Sequence, residues 1–362
     1  MKKIGYNAYT LNKPITGVGR YLQALSLLNL GSLSLKKIAF SLNDNYCWEH
    51  GFDEIYPSNV NLKFRKLIWN YLHFYNKKEF SIYHSPFPFL PFSNFKNIKK
   101  VITVHDVLFL TNPEWYPKLE VLFMRLSLNL SVKMADAIIC VSETTKKELI
   151  KYYPSSVSKI TVVFNPIIES NNIFSFSNLT ANPNISPLLL KGKYFVLPSN
   201  RHPRKNIFNA IEGFLKSEFY KNDYKLCLCG LNESIDEFIL DKNIVELKYL
   251  SDDDYNILIR NSSGIFYFSY AEGFGYPIIE AIEANIPIFC SKIPTSTEII
   301  GDFNEYLCID LSASGITNYL NSFFYQPSKI KRLLLHIQSL KKEFDYHKFE
   351  SSMLNIYQSL IN

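Results

Sequence analysis

The chain has 362 residues, of which 47% are hydrophobic and 20% charged, so it is long enough for two domains and too apolar to be disordered. Its six cysteines lie scattered in mostly apolar segments without a disulfide framework or a zinc-binding spacing, which favours a reducing compartment. The net charge of +6 is uneven: residues 1–170 hold 21 Lys and Arg against 12 Asp and Glu, whereas the remainder holds 18 against 21.

The basic excess is concentrated between residues 63 and 100, where Lys and Arg alternate with Trp, Tyr and Phe. This composition suits an anionic membrane surface, but a solvated face above core aromatics explains it equally well. No apolar segment reaches the ~18 residues of a membrane-spanning helix, and the first residues do not resemble a signal peptide. We therefore expect a cytoplasmic protein. No nucleic-acid-binding signature accompanies the charge, so nucleic acid is not expected as a partner.

Along the chain, short apolar runs alternate with longer amphipathic stretches, which is typical of a parallel α/β fold. In the first half the predicted helices include residues 115–133 and 143–152, and the predicted strands are residues 36–40, 81–85, 101–105, 137–142 and 159–164. An Asn- and Ser-rich stretch without periodicity follows Pro166 and predicts a linker. A second α/β series follows, with predicted strands at residues 194–199, 224–230, 245–250, 264–269 and 286–291.

These patterns predict two Rossmann-like domains, residues 1–166 and 192–340, joined by a linker over residues 167–191. Residues 341–362 form a final amphipathic helix, whose apolar face carries Phe349, Met353, Ile356, Tyr357 and Leu360. Open parallel sheets bind ligands beyond the carboxyl ends of their strands. We therefore expect the two domains to face a central cleft that holds the ligands.

The most informative local segment is the loop that follows the predicted strand 264–269. Gly273 and Gly275 flank Phe274 and allow the backbone to approach a ligand closely. Pro277 stands where a helix would begin, a position at which its missing N–H costs nothing. The N–H groups at such a helix start favour an anion such as a diphosphate.

Two carboxylates flank this helix start, because Glu272 precedes the helix and Glu280 lies inside it. A carboxylate can accept hydrogen bonds from two vicinal hydroxyl groups, so the pair suits a sugar on either side of a diphosphate. The alternative is that both residues only complement the helix dipole.

Glu-x7-Glu in this setting resembles the signature of the retaining glycosyltransferases of family 4, which have the GT-B fold. Other stretches resemble the same family in the same order along nearly the whole chain: ITGVGRY (15–21), VHDVLFLTNPEWYP (104–117), ADAIICVSETTKKEL (135–149) and PSNRHPRKNIFNAIEGF (198–214). In that family the final helix commonly packs back on the N-terminal domain. The resemblance implies an acceptor-binding N-terminal domain and a C-terminal domain that binds the nucleotide sugar.

In the C-terminal domain, the resemblance implies that Glu280 binds the ribose and that Glu272 contacts the transferred sugar as a catalytic residue. Lys205, with Arg201 or Arg204, would hold the diphosphate together with the loop of Gly273, Phe274 and Gly275. An exposed surface lysine is the alternative interpretation of Lys205. Where the family often has a glycine this chain has Ser199 or Asn200, so the choice between the two arginines stays open.

In the N-terminal domain, the resemblance makes Gly17 and Gly19 part of a glycine loop that closes over the donor. A plain turn is the alternative, because the spacing is not G-x-G-x-x-G. His105 would be catalytic, although a histidine at a strand end can also be an ordinary core residue. The acceptor would approach past His84, Ser85 and Asp106.

The acidic run SDDDY (251–255) resembles a metal-binding Asp-x-Asp motif, but it opens a predicted helix. Ser251 or Asp252 is therefore interpreted as an N-cap, with the acids complementing the first turn. We expect no bound metal and no cofactor.

The function predicted from these observations is retaining, metal-independent transfer of a hexose from a nucleotide sugar to a glycan or a polyprenyl-diphosphate-linked saccharide. The His-Asp segment most resembles mannosyltransferases of surface polysaccharide and O-antigen assembly, which favours GDP-mannose as donor. Such an enzyme would lie peripherally on the inner face of the cell membrane. Two alternatives are a nucleotide-sugar epimerase, disfavoured by the aromatic acceptor loop, and a non-catalytic sugar- or membrane-binding partner, disfavoured by the presence of Glu272 and Lys205.

Overall fold

A computed structural model describes residues 2–8, 17–41, 51–57, 80–91, 97–168, 193–198, 200–230, 241–247, 250–301 and 304–361. The chain forms two compact units, one made of Met1–Ile168 with Asp345–Asn362 and the other of Glu169–Phe344. The predicted linker and the basic stretch 63–79 lie outside the described residues. No helix within the described ranges is both long and apolar enough to cross a membrane.

The first unit contains a seven-stranded sheet in which all strand pairs are parallel. Its strands are β1 (Lys2–Asn7), β2 (Leu35–Ser41), β3 (Glu54–Pro57), β4 (Phe80–Ser85), β5 (Lys99–Val104), β6 (Ala137–Cys140) and β7 (Ile160–Val162). They lie in the order β3-β2-β1-β4-β5-β6-β7. The helices described before the second unit are α1 (Gly17–Ser26), α2 (Leu108–Thr111), α3 (Lys118–Met134) and α4 (Glu143–Tyr152).

The second unit contains a six-stranded parallel sheet. Its strands are β8 (Tyr194–Pro198), β9 (Lys225–Cys229), β10 (Ile244–Leu247), β11 (Ile265–Tyr267), β12 (Ile288–Ser291) and β13 (Leu307–Cys308), in the order β10-β9-β8-β11-β12-β13. Its helices are α5 (Ile207–Leu215), α6 (Glu218–Lys221), α7 (Asp252–Arg260), α8 (Tyr276–Ala284), α9 (Pro294–Ile300), α10 (Ala313–Phe324) and α11 (Pro327–Leu340).

The last helix, α12 (Tyr346–Ile361), belongs to the first unit. Its residues Phe349, Met353, Ile356 and Tyr357 are buried in one apolar cluster with residues of β1 and α1. A second cluster holds side chains of α3 and α4. Val101 belongs to the first cluster and Ile102 to the second, since successive side chains of a strand point to opposite faces of the sheet.

The core of the second unit is rich in aromatic rings. The Phe195 ring of β8 stacks on Phe266 of β11 at a centroid distance of 4.6 Å. Gly213 lets α5 approach α10, because a Cβ atom at this position would lie 2.7 Å from Cγ2 of Ile316. The five cysteines among the described residues are free and buried, as their apolar surroundings predict.

Both sheets have the strand order of a Rossmann fold, in which the first strand is central and the order reverses beside it. The reversal lies between β1 and β4 in the first unit and between β8 and β11 in the second. The prediction of an α/β protein with two Rossmann-like domains is therefore confirmed. Because ligands of such sheets bind where the order reverses, a ligand site is expected at the loops after these four strands.

Candidate functional site

A cluster of charged side chains lies where the strand order reverses in the second unit. Lys205 follows β8, and its Nζ atom lies 2.7 Å from Oε1 of Glu272, which follows β11. The Arg204 guanidinium contacts the other carboxylate oxygen of Glu272. Only 9% of the Glu272 side chain is exposed, so one buried carboxylate is held between two cations.

Burial by itself would raise the pKa of the Glu272 carboxyl, but the nearby Lys205 and Arg204 charges outweigh it and lower that pKa below its ordinary value. Burial also lowers the pKa of the Lys205 ammonium, and the attraction of Glu272 opposes this effect. Each charge in the cluster is therefore stabilised by its opposite. An unpaired charge buried this deeply would lower the stability of the folded protein by on the order of several kcal/mol.

The loop after β8 is shaped by short-range hydrogen bonds. His202 caps the single 3-10 turn Pro203–Lys205 by accepting from the Arg204 N–H. Asn206 then adopts the left-handed conformation with φ of 51°, and its side-chain amide donates to the carbonyl oxygen of Leu311 at 2.9 Å. The Tyr270 N–H donates to the Arg204 carbonyl at 2.8 Å, which joins this loop to the loop after β11.

Two further side chains support Lys205 and were not identified from the sequence. Its ammonium lies 5.4 Å from the ring centroid of Tyr267, a cation–π contact. Asn206, at the start of α5, fixes the turn that directs Lys205 toward Glu272. The Lys-Asn dipeptide is a local signal for such a turn, because asparagine tolerates positive φ better than most residues.

The loop of Gly273, Phe274 and Gly275 leads directly into α8. Gly275 is the N-cap of this helix, and a Cβ atom there would lie 3.0 Å from both Ile278 Cδ1 and Ile299 Cδ1. Pro277 stands in the first turn, as the sequence predicts. Gly273 and Phe274 are buried, and the Phe274 ring contacts Phe344 at a centroid distance of 6.3 Å. Phe274 therefore holds the loop in place through its packing.

Glu280 lies one turn inside α8 and is half-buried. Its Oε2 atom accepts a hydrogen bond of 2.9 Å from the Tyr255 hydroxyl of α7. Tyr255 belongs to the SDDDY run, in which Ser251 caps α7 by accepting from the Asp254 N–H at 3.1 Å. The capping interpretation of this run is therefore confirmed, and Tyr255 is the member of the run that contacts a candidate site residue.

In the first unit, His105 follows β5. Its Nε2–H donates to the carbonyl oxygen of Pro86 at 2.9 Å, and its ring meets the edge of the Tyr21 ring at a centroid distance of 5.1 Å. Burial lowers the pKa of His105 to about 4, against the opposing effect of the Pro86 hydrogen bond. Neutral His105 is therefore the form present at pH 7. The neighbouring Asp106 accepts from the Leu108 N–H at 3.1 Å and caps the turn that leads into α2.

His84 and Ser85 are completely buried at the end of β4. Both ring nitrogens of His84 are used within the unit: Nδ1 lies 2.7 Å from the Tyr357 hydroxyl and Nε2 2.8 Å from Thr103 Oγ1. Burial lowers the pKa of His84 to about 3. In this structure neither side chain is accessible to an acceptor, because α12 packs over this end of the sheet and Tyr357 contacts His84 directly.

The remaining predicted residues lie at the start of α1 and in the loop after β8. Gly17 begins α1 and is exposed, whereas Gly19 is buried in the first turn of that helix. Arg201 is exposed, in contrast to Arg204, which pairs with Glu272. The second unit thus brings Arg204, Lys205 and Glu272 together with the loop of residues 273–275 where its strand order reverses. In the first unit, the start of α1 carries the two glycines, and the loop after β5 carries the His105–Asp106 pair.

Comparison with known proteins places this arrangement in a family. The model of "Glycosyl transferases group 1" matches residues 180–335, and the model of "Glycosyltransferase Family 4" matches residues 50–170. The O-antigen chain mannosyltransferase B of Escherichia coli is 29% identical over 231 residues, which cover 61% of this chain and 59% of that protein. The O-antigen chain mannosyltransferase RfbU of Salmonella typhimurium is 28% identical over 237 residues, 63% of this chain and 60% of that protein. The matched segment therefore spans about 60% of the length of these curated relatives.

Solved structures show the same fold at low sequence identity. Anabaena Alr3699/HepE in complex with UDP and glucose has a TM-score of 0.71 at 15% identity, with 99% of this chain and 100% of that chain covered. WaaG, a glycosyltransferase involved in lipopolysaccharide biosynthesis, has a TM-score of 0.70 at 12% identity, with 98% and 99% covered. The two family models, the two Rossmann-like units and the glutamate pair around α8 lead to one conclusion: the chain belongs to the group 1 and family 4 glycosyltransferases of the GT-B fold.

Proposed function

We propose that this protein transfers a hexose from a nucleotide-sugar donor to a saccharide acceptor with retention of the anomeric configuration and without a metal ion. The observation that carries the proposal is the buried Glu272 carboxylate held between Arg204 and Lys205, beside the helix start of α8. Cations and the N–H groups of a helix start at one point suit a diphosphate, and a carboxylate at the same point suits sugar hydroxyl groups.

In this proposal Arg204 and Lys205 bind the donor diphosphate together with the N–H groups that begin α8. Glu280, oriented by Tyr255, accepts hydrogen bonds from the ribose hydroxyls. Arg204 is favoured over Arg201 because its guanidinium is already directed into the cluster. As the bond between sugar and diphosphate breaks, negative charge grows on the leaving group, and fixed cations in a buried site stabilise that charge most effectively.

Glu272 is proposed to bind the transferred sugar, whose positive charge in the transition state a carboxylate favours. His105 is proposed to orient a hydroxyl group. Because its Nε2–H donates to Pro86, Nδ1 is the ring nitrogen that can accept a hydrogen bond. With its pKa lowered to about 4, His105 is suited to accept a hydrogen bond while remaining neutral. It is less suited to act as a general base, because a base must hold a proton at pH 7.

Retention is proposed to follow a same-face mechanism, in which the departing diphosphate takes the proton from the acceptor hydroxyl. The protein would then act by positioning and by stabilising the leaving group, and Arg204 and Lys205 would supply the charge that a metal supplies elsewhere. Turnover should therefore be unchanged by EDTA. Loss of turnover in EDTA that Mn²⁺ or Mg²⁺ restores would contradict this part of the proposal.

For the donor we propose GDP-mannose, and for the acceptor a glycan or a polyprenyl-diphosphate-linked saccharide of surface polysaccharide or O-antigen assembly. The support is the similarity to two proteins named O-antigen mannosyltransferases. A lipid-linked acceptor implies a position on the inner, anionic face of the cell membrane.

The decisive experiment is a thermal-shift screen with GDP, UDP, ADP and their sugars, followed by NMR of the product. A ligand at 100 times its Kd stabilises the native state by about 2.7 kcal/mol, so the correct nucleotide should raise the melting temperature measurably. The anomeric signal of the product then reports retention or inversion. No shift with any nucleotide would contradict the donor site, and an inverted product would contradict the mechanism.

A further inference from the structure

Helix α3 (Lys118–Met134) carries a row of large apolar side chains on its outer surface. Exposure ranges from 83% for Leu119 to 38% for Met134, with Leu122, Leu126 and Leu130 between these values. The spacing of three and four residues places all five on one side of the helix. Exposed single leucines are ordinary, but a continuous row along the whole length of a helix is not. These five residues are called the α3 stripe below.

The opposite side of α3 is fixed to the unit. Its buried residues are Val121, Ser127, Leu128, Ser131 and Val132. Ser131 Oγ also accepts a hydrogen bond of 2.8 Å from the Leu90 N–H. The helix therefore cannot rotate to bury the stripe without losing this packing. At 1.5 Å per residue, the apolar row from Leu119 to Met134 is about 22 Å long.

The charges around the stripe have mainly one sign. Lys118, Arg125 and Lys133 are exposed on the same helix, and Glu120 is its one acidic residue. Lys118 and Arg125 each lie one helical turn from Leu122, which places them along one edge of the stripe. An apolar face bordered by basic side chains is the pattern of helices that lie in the plane of an anionic bilayer.

We propose that α3 is a membrane-docking helix, with the α3 stripe inserted among the lipid headgroups of an anionic bilayer and the three basic side chains at the phosphate level. A second copy of the chain fits less well, because two α3 surfaces would oppose like charges. The biological sense of the proposal rests on the proposed lipid-linked acceptor, but its test does not require catalysis.

The test is binding of the full chain to vesicles of phosphatidylglycerol and phosphatidylcholine, compared with phosphatidylcholine alone. The triple variant Leu122→Gln, Leu126→Gln and Leu130→Gln should bind the anionic vesicles at least about tenfold more weakly, since each exposed leucine contributes apolar area to insertion. The matched control is Ile309→Gln, Tyr325→Gln and Leu335→Gln, three apolar residues of the second unit that are at least as exposed. The control should bind as the wild type does.

Two further measurements keep the test decisive. All replaced residues are exposed, so the melting temperature should not fall; if the triple variant is destabilised, Leu126→Ser alone is used in the same assay. Arg125→Gln should weaken binding about fivefold at low salt and much less at high salt, because screening removes the headgroup attraction.

Unchanged vesicle binding by the folded stripe variant would overturn the proposal. The proposal would also be overturned if light scattering showed that the wild type is a dimer and the stripe variant a monomer, because a second copy would then cover the stripe. Nucleoside diphosphate binding by wild type and variant is measured in parallel. If neither binds a nucleotide, the proposed transferase function fails while the vesicle result still decides the role of α3.

Discussion

The two Rossmann-like units bury polar residues at corresponding strands, but the buried residue is neutral in the first unit and charged in the second. At the end of β4 of the first unit, His84 is fully buried, burial keeps it neutral, and its ring hydrogen-bonds to Tyr357 and Thr103. After β11, the corresponding strand of the second unit, Glu272 is nearly as buried but remains charged between Arg204 and Lys205. The same sheet topology therefore supports a neutral hydrogen-bonded network in one unit and an ion cluster in the other.

The difference follows from the cost of burying charge. A histidine can lose its proton and keep two hydrogen bonds, so the first unit needs no counter-ion. The second unit holds two cations in the loop after β8, and a buried cation requires a nearby anion. Glu272 is that anion, which makes the second unit the more sensitive to charge substitutions.

The largest effect is expected for Lys205→Met. Removing a cation that stabilises the leaving diphosphate should lower kcat by about 10²–10³ and weaken nucleoside diphosphate binding, because the methionine keeps the length but not the charge. Steady-state kinetics and calorimetry measure both effects. Lys216→Met is the matched control, since Lys216 pairs with Glu212 on an exposed face of the same region. Equal behaviour of the two variants would show that Lys205 has no role in donor binding.

Glu272 and Glu280 should be separable by substitution with glutamine. Glu272→Gln frees Arg204 and Lys205 from their internal partner, so it should bind a nucleoside diphosphate as tightly as the wild type or up to about tenfold more tightly, while kcat falls. Glu280→Gln should weaken the diphosphate and the nucleotide sugar alike, by about 1.5–3 kcal/mol. Calorimetry with both ligands tests the pair. If Glu272→Gln weakens binding of the bare diphosphate as much as Glu280→Gln does, both carboxylates only stabilise the loop and the helix.

The neutral histidines of the first unit should appear in the pH dependence of stability. In the folded protein the pKa values of His84 and His105 are lowered to about 3 and about 4, whereas the unfolded chain takes up protons below its ordinary histidine pKa of 6.5. Stability is therefore complete above pH 6.5 and declines as the pH falls toward 4. The decline should approach about 1.4 kcal/mol per pH unit for each histidine.

Urea unfolding at pH 7, 6 and 5 measures this decline, and His84→Gln should remove roughly half of the part of the slope that His84 and His105 contribute together. The carboxyl group of Glu272, whose pKa lies below its ordinary value, changes charge below this pH window and should not disturb the comparison. An unchanged slope in the variant would contradict the neutral, buried state assigned to His84.

The smallest effect is expected outside both sites, at the cap of α7. Ser251→Ala should lower the free energy of unfolding by about 1 kcal/mol, because the Asp254 N–H loses its acceptor. Asp252→Asn and Asp253→Asn should leave kcat unchanged, since these acids complement the helix start. A large loss of kcat in either aspartate variant would instead favour the metal-binding interpretation of the acidic run.

Local patterns were sufficient for the architecture and for part of the site. Alternating apolar and amphipathic segments predicted the two parallel sheets, because the spacing of apolar residues along a strand or helix depends only on residues close in sequence. The glycines that precede Pro277 likewise predicted a helix start beside Glu272. The serine cap of α7 was predicted for the same reason, since capping depends on only a few consecutive residues.

What only the tertiary structure decided are the contacts between distant parts of the chain. The sequence left open which of Arg201 and Arg204 contacts a diphosphate. The pairing of Arg204 with Glu272 depends on how the loops after β8 and β11 meet. His84 is buried because Tyr357, 273 residues later, packs over it. The exposure of the α3 stripe has the same origin: a helix of mostly apolar residues does not reveal which side the rest of the chain will cover, because burial is set by tertiary packing rather than by local propensity.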